Sequence, residues 1–175
     1  MARPDATIHA SAVLVGPKAV LIRGPSGSGK SRLAWDLLIA ATQGLLPFAR
    51  LVADDRAYLE NHAGRLVVRG AQPLAGLIEI RGLGIRKVEV EPLAVVGLAV
   101  DLDAADAARH PEKSARTTVI DGVSLPRLGV AAGTAGLHLV LAAMCMMNYV
   151  HLQCLQQKIR CLCLAQHTHS IFLCG

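Results

Sequence analysis

Gly24-Pro25-Ser26-Gly27-Ser28-Gly29-Lys30-Ser31 decides the reading of this chain. The octet fits G-x-x-x-x-G-K-[ST], the pattern of a phosphate-binding P-loop, and its flanks supply the secondary structure that pattern requires. Ala19-Val20-Leu21-Ile22 before it is a short apolar run suited to a buried strand, and Leu33 to Ala41 after it places apolar residues at helical spacing. Glycines allow a tight turn that aims successive N–H groups at phosphate oxygens. A helix beginning near Lys30 adds the positive end of its dipole to the same anion site. Lys30 can then reach the β- and γ-phosphates, and the Ser31 hydroxyl is placed to ligate Mg²⁺. An ordinary Gly/Ser-rich turn is the alternative, and the order strand, loop, helix argues against it. The pattern predicts binding of a nucleoside triphosphate.

Working outward, Ile8 to Val15 and Ala19 to Ile22 read as a hairpin turned at Gly16-Pro17-Lys18. The helix after the loop is expected to stop near Gln43-Gly44, a C-cap signal. Ala49 to Ala53 reads as a strand ending at Asp54-Asp55. Ala57 to Glu60 and Arg65 to Arg69 form a second hairpin about Asn61-His62-Ala63-Gly64. Ala75 to Ile85 is an apolar run broken by glycines; Arg86 to Val90 and Ala94 to Val100 are expected strands. Asp101 to Ser114 reads as a surface loop or short helix. Val119 to Leu128 alternates like a strand, with Pro126 confining it to an edge or an end. From Leu137 the pattern turns helical.

An apolar strand that delivers Asp54 and Asp55 beside a P-loop supplies what phosphoryl transfer needs. One carboxylate can hold Mg²⁺ or its water, and its neighbour can accept a proton from an attacking hydroxyl. A strand-end turn capped by Asp is the bland alternative, and the upstream P-loop favours the functional one.

At 175 residues the chain suits one domain. Hydrophobic residues make up 53% and aromatics only 3%, so the core must be built from Ala, Val, Leu and Ile, which suits an α/β layer fold. The net charge is +5, without a Lys/Arg block or an aromatic-interleaved basic stripe, so nucleic acid is not the expected partner. The N-terminus lacks the apolar core of a signal peptide, and residues 1–143 contain no acceptable membrane span, so a cytoplasmic protein is expected. All five cysteines (Cys145, Cys154, Cys161, Cys163, Cys174) lie near the C-terminus. Their odd number argues against a disulfide framework, and the absence of a C-x-x-C pair argues against zinc despite His151, His167 and His169. From Cys145 the chain becomes rich in Cys, Gln, His and Leu and holds no Asp or Glu. Residues 145–175 therefore read as an atypical, partly helical tail on a catalytic domain of residues 1–144, as a shifted reading frame would produce.

His9-Ala10-Ser11-Ala12-Val13-Leu14-Val15, the P-loop, Leu51-Val52-Ala53-Asp54-Asp55 and Ile78-Glu79-Ile80-Arg81-Gly82-Leu83-Gly84-Ile85 together resemble HPr kinase/phosphorylase. The last segment is similar to that family's signature. The resemblance covers residues 8 to 144 and the family's C-terminal catalytic domain only, as in the short form of some proteobacteria. It implies an α/β P-loop domain of the phosphoenolpyruvate carboxykinase-like kind, with a mixed sheet and flanking helices. It implies ATP and Mg²⁺ as cofactors, the phosphocarrier HPr as the partner phosphorylated on serine, and a homo-oligomer, hexameric in the family. By matching motif, Gly24 to Ser31 cradle the phosphates, Ser31 and Glu79 hold the metal, and Asp54 lies on the metal or its water. Asp55 is the general base, acid in the reverse reaction, and His9 assists it. Arg109 is the expected transition-state arginine, with Arg116 its competitor. Many members carry a P-V-K-x-G-R segment tied to dephosphorylation. The corresponding Val130 to Gly136 holds no basic residue, which leaves reverse phosphorolysis weak or absent. A P-loop kinase with a small-molecule acceptor, or a nucleotide-binding regulator, is the alternative.

Overall fold

Residues 7–147 are described by the computed structural model. The Cys- and His-rich segment beyond them, with every expectation attached to it except Cys145, lies outside the described residues. Strands β1 (Thr7–Ile8), β2 (Ser11–Val15) and β3 (Lys18–Arg23) precede helix α1 (Lys30–Thr42). Strands β4 (Ala49–Ala53), β5 (Ala57–His62), β6 (Arg65–Gly70), β7 (Leu77–Ile80), β8 (Gly84–Lys87) and β9 (Leu93–Leu102) follow. Strands β10 (Thr117–Ile120) and β11 (Val123–Val130) then lead to helix α2 (Gly136–Met146).

The main sheet has the order β1-β5-β6-β9-β3-β2-β4, with β11 also on β9 and β10 on β11. It is mixed: β9 runs parallel to β3 and to β11, and antiparallel to β6. β2 is not the single strand expected from Ile8, because β1 pairs with β5 whereas β2 pairs with β3 and β4. At His9-Ala10 the chain crosses from one edge of the sheet to the strand next to the other edge.

Two other expectations change. The glycine-broken run folds into a separate two-stranded sheet of β7 and β8, turned where Gly82 and Gly84 take φ 87 and 74. The strand expected over Arg86 to Val90 therefore ends at Lys87, and Val90 makes only an isolated bridge to Leu51. The strand expected over Val119 to Leu128 is a hairpin. Asp121 and Gly122 both have positive φ (47 and 75), the backbone of a tight Asp-Gly turn. Pro126 stands opposite Thr117 at the end of that ladder, after which β11 pairs with β9. Lacking an N–H, proline fits this change of partner.

Period-two alternation divides the core. Val13, Val15, Val20 and Ile22 pack on one face with Leu33, Ala34 and Leu37 of α1 and Val140 and Met144 of α2. Ala12, Ala19 and Leu21 face the other way, with Val52, Ala57, Leu66, Val68 and Leu125. The second face is rich in alanine, and small side chains let the sheet curl on itself. The curl is tight at one seam: a Cβ on Gly70 of β6 would lie 2.6 Å from the Val52 carbonyl oxygen of β4. Val52 is the extra residue of a bulge, since Ala12 pairs with Ala53 and Val13 with Leu51. Gly70→Ala is expected to lower stability by about 1–3 kcal/mol, the usual cost of overpacking against backbone, read as a fall in melting temperature. No helix among the described residues is long and apolar enough to cross a membrane.

Candidate active site

β3 ends at Arg23 and the chain enters the glycine loop. Gly24, Gly27 and Gly29 adopt φ of 152, 81 and 94, values that disfavour any residue with a Cβ. Gly29 is the N-cap of α1 and offers no side-chain cap, and the first turn of α1 contains no acidic residue. The leading N–H groups of the helix are thus left for an external acceptor. Ser28 Oγ is buried without a hydrogen-bond partner in the same loop, an orphaned polar atom that a phosphate oxygen would satisfy.

Lys30 is 6% exposed, and its ammonium donates to the carbonyl oxygens of Gly24 (3.0 Å) and Pro25 (2.8 Å). Burial lowers its pKa from the ordinary lysine value, against the opposing charges of Asp55 and Asp54. A cation held this way gains from a nearby phosphate, which replaces lost hydration with opposite charge.

β4 delivers Asp54, buried at 6% exposure. Its Oδ1 accepts hydrogen bonds from Ser11 Oγ (2.5 Å) and Ser31 Oγ (2.9 Å), and its Oδ2 accepts a long one from the Glu79 N–H (3.4 Å). Consecutive residues of a strand point to opposite faces, so Asp54 and Asp55 could not serve one site from extended backbone. Asp55 turns instead, with φ 70, a left-handed conformation that Asp tolerates better than most residues. Its carboxylate meets His9 Nε2 at 3.0 Å, both side chains being about half exposed. An open cleft of about 470 Å³ lies beside it, lined by Thr7, Asp55, Arg56, Tyr58, Ala71 and Leu74.

The sequence-predicted residues His9, Lys30, Ser31, Asp54 and Asp55 are therefore gathered around the loop. Glu79 joins them by its backbone, while its side chain is exposed. Among the described residues no three His, Cys, Asp or Glu side chains converge into a metal site. Ser31 and Asp54 could still hold Mg²⁺, which needs few protein ligands when phosphates and water fill the rest of its shell. Arg109 is exposed on the segment after β9 and makes no hydrogen bond or ion pair among the described residues. Arg116 donates to the Pro111 carbonyl (3.0 Å).

Sequence reasoning gave no role to Ser11 or to Arg127. Arg127 on β11 reaches Asp101 (2.6 Å) and both oxygens of Asp106 (2.7 and 2.9 Å), and donates to the Ala115 carbonyl (3.0 Å). Asp101 also takes a two-pronged contact from Arg23 (2.7 and 2.9 Å). The hydrogen bonds of Asp106 and Asp101 hold the Arg127 guanidinium above its ordinary pKa. Burial raises the Asp101 pKa, but Arg23 and Arg127 outweigh it and leave the carboxyl below its ordinary value. A carboxyl depressed on folding contributes stability that is full above its unfolded pKa and lost as pH falls through the folded one. Melting temperature is accordingly expected to hold down to about pH 4 and then drop, with a shallower acid drop in Asp101→Asn.

The fold and the site define a mixed α/β domain with a curled sheet, in which a glycine-rich strand–loop–helix unit faces an acidic pair. Residues 2–150 match the family model described as HPr Serine kinase C-terminal domain, and the chain belongs to that family. It is 30% identical over 159 residues to the HPr kinase/phosphorylase of Limosilactobacillus reuteri, covering 83% of this chain and 47% of that one. It is 36% identical over 108 residues to the HPr kinase/phosphorylase of Halalkalibacterium halodurans, covering 57% and 33%. The solved structure of the Hpr(Ser) kinase/phosphatase from Coxiella burnetii superposes with a TM-score of 0.62 at 25% identity, covering 79% of this chain and 93% of that one. The chain spans between about a quarter and about half the length of the curated relatives it matches.

Proposed function

We propose that this chain transfers the γ-phosphoryl group of ATP to a serine hydroxyl of an HPr-like phosphocarrier protein. The observation that carries the reading is the meeting of Lys30, Ser31 and Asp54 at the glycine loop with the His9–Asp55 pair alongside. The loop N–H groups and Lys30 bind and orient the phosphates, and Lys30 gives up its hold on Gly24 and Pro25 to do so. Ser31 and Asp54, with Glu79, would hold Mg²⁺, which supplies charge neutralisation on the β- and γ-phosphate oxygens when bound.

Asp55 accepts the proton of the serine hydroxyl. The serine oxygen forms its bond to the γ-phosphorus as the bond from that phosphorus to the bridging oxygen breaks, and ADP leaves. His9 Nε2–H donates to Asp55 and fixes the direction of its carboxylate. Arg109, rather than the engaged Arg116, is assigned to the charge on the transferring oxygens. The same reading places the reaction in the cytoplasm and in a homo-oligomer. Reverse phosphorolysis is weak or absent in this reading, because Val130 to Gly136, from the end of β11 to the start of α2, holds no basic residue.

Incubation with Mg-ATP and HPr, followed by mass spectrometry for phosphoserine, tests the proposal. Phosphoserine supports it; bound ATP with untouched HPr overturns it. The cleft beside Asp55 supports a second reading, a small-molecule hydroxyl acceptor. Turnover of ATP with a phosphorylated metabolite as product and unmodified HPr would favour that one.

A further inference from the structure

We propose that Ser11 is a positioning residue that selects which oxygen of Asp54 faces the metal and phosphate side of the site. The inference rests on the phosphate- and metal-binding reading of that site. Ser11 opens β2 and is fully buried, between Ala10 and Ala12, which are fully buried too. A hydroxyl in such surroundings costs stability unless it is hydrogen-bonded. Its partner is Asp54 Oδ1 at 2.5 Å, a short bond of the charge-assisted kind in which the hydroxyl donates and the carboxylate accepts.

The final torsion of an aspartate is soft and nearly two-fold, so a carboxylate held from one point can swing. Asp54 is held from more than one. Ser11 approaches Oδ1 from β2, and Ser31 approaches the same oxygen from the first turn of α1. With two hydroxyl donors on Oδ1, the oxygen with room for another partner is Oδ2, which has only the long contact from the Glu79 N–H. Ser31 has a second task in this reading, ligating the metal, whereas Ser11 is left to hold Asp54. Ser11 sits on the central sheet and is anchored by its register, opposite Ile22 of β3. The Val52 bulge completes the arrangement by bringing Ala53, the residue before Asp54, opposite Ala12. Ser11 therefore sets the carboxylate before any ligand binds, and acts on the metal through Asp54 without touching it.

The test is Mn²⁺ binding in the presence of ADP, measured by electron paramagnetic resonance on the full chain, with metal-free ADP binding measured in parallel by calorimetry. Ser11→Ala is expected to weaken Mn²⁺ binding by about 10–100-fold, the usual loss when a residue supporting a metal ligand is removed. Metal-free ADP binding should be unchanged, and Ser11→Thr should restore most of the Mn²⁺ affinity. In an Asp54→Ala background, Ser11→Ala should have no further effect. If Ser11→Ala does not fold, Ser11→Cys, of similar shape but a weak donor, takes its place. Mn²⁺ affinity within twofold of the parent, whatever the melting temperature, overturns the inference and leaves Ser11 a packing residue. A parent chain that binds no Mn²⁺-ADP overturns the reading of the site itself, an outcome distinct from the first.

Discussion

Lys30→Ala is expected to lower the proposed phosphoryl transfer to HPr by a factor of about 10²–10³ or more, while the chain keeps its fold. Preorganised donors aimed at charge that develops in the transition state are worth this much singly when they are neutral, and Lys30, itself buried, carries a full charge. Its removal also separates catalysis from stability. The ammonium is desolvated by burial, and its contacts in the free chain are two carbonyls of the loop, which water can reach once the side chain is gone. Melting temperature should stay the same or rise slightly. Transfer retained in the variant at more than a tenth of the parent rate, by phosphoserine mass spectrometry, would remove the glycine loop from the mechanism.

Asp55→Asn is expected to lower kcat by about 10²–10⁴-fold, the range for a lost general base, with ATP affinity nearly intact. Asparagine is the right replacement because it accepts φ near 70 as readily as aspartate does, so the backbone turn survives and only the proton acceptor is lost. Alanine at the same place would add strain to the chemical loss. His9→Ala should cost much less, since His9 acts through Asp55 and is itself half exposed. The two measurements are single-turnover transfer rates and ATP binding by calorimetry. Equal losses in both variants would make the pair a docking feature instead of a base and its support.

How much of this was legible in the sequence depends on how local each signal is. The loop, α1 and the Asp54-Asp55 strand end could be read because each is a continuous segment whose chemistry is carried by neighbours in the chain. The hairpin at Asp121-Gly122 carried a strong turn signal, but the alternation from Val119 to Leu128 runs evenly through it and masked it. The separate β7–β8 sheet was hidden for a different reason: an apolar run with glycines reads the same whether it joins the main sheet or not. Leu83 and Ile85 are in fact largely exposed there. Ser11 and Arg127 were beyond reach because their meaning lies in pairing. Ser11 needs Asp54, separated from it by 43 positions, and Arg127 needs Asp101 and Asp106. No periodicity links such partners; the pairing of β2 with β4 and of β11 with β9 does.

Asp101, clasped by Arg23 on one side and Arg127 on the other, has a mechanical meaning. β3, β9 and β11 are parallel there, so the three residues tie three strands together near the point where the glycine loop departs. Arg127 also grips the segment after β9 through Asp106 and Ala115. That segment carries Arg109, and releasing it breaks its ties to Arg127 of β11. The strand that launches the glycine loop and the segment that carries Arg109 are thus joined through one carboxylate, Asp101, by way of Arg23 on one side and Arg127 on the other.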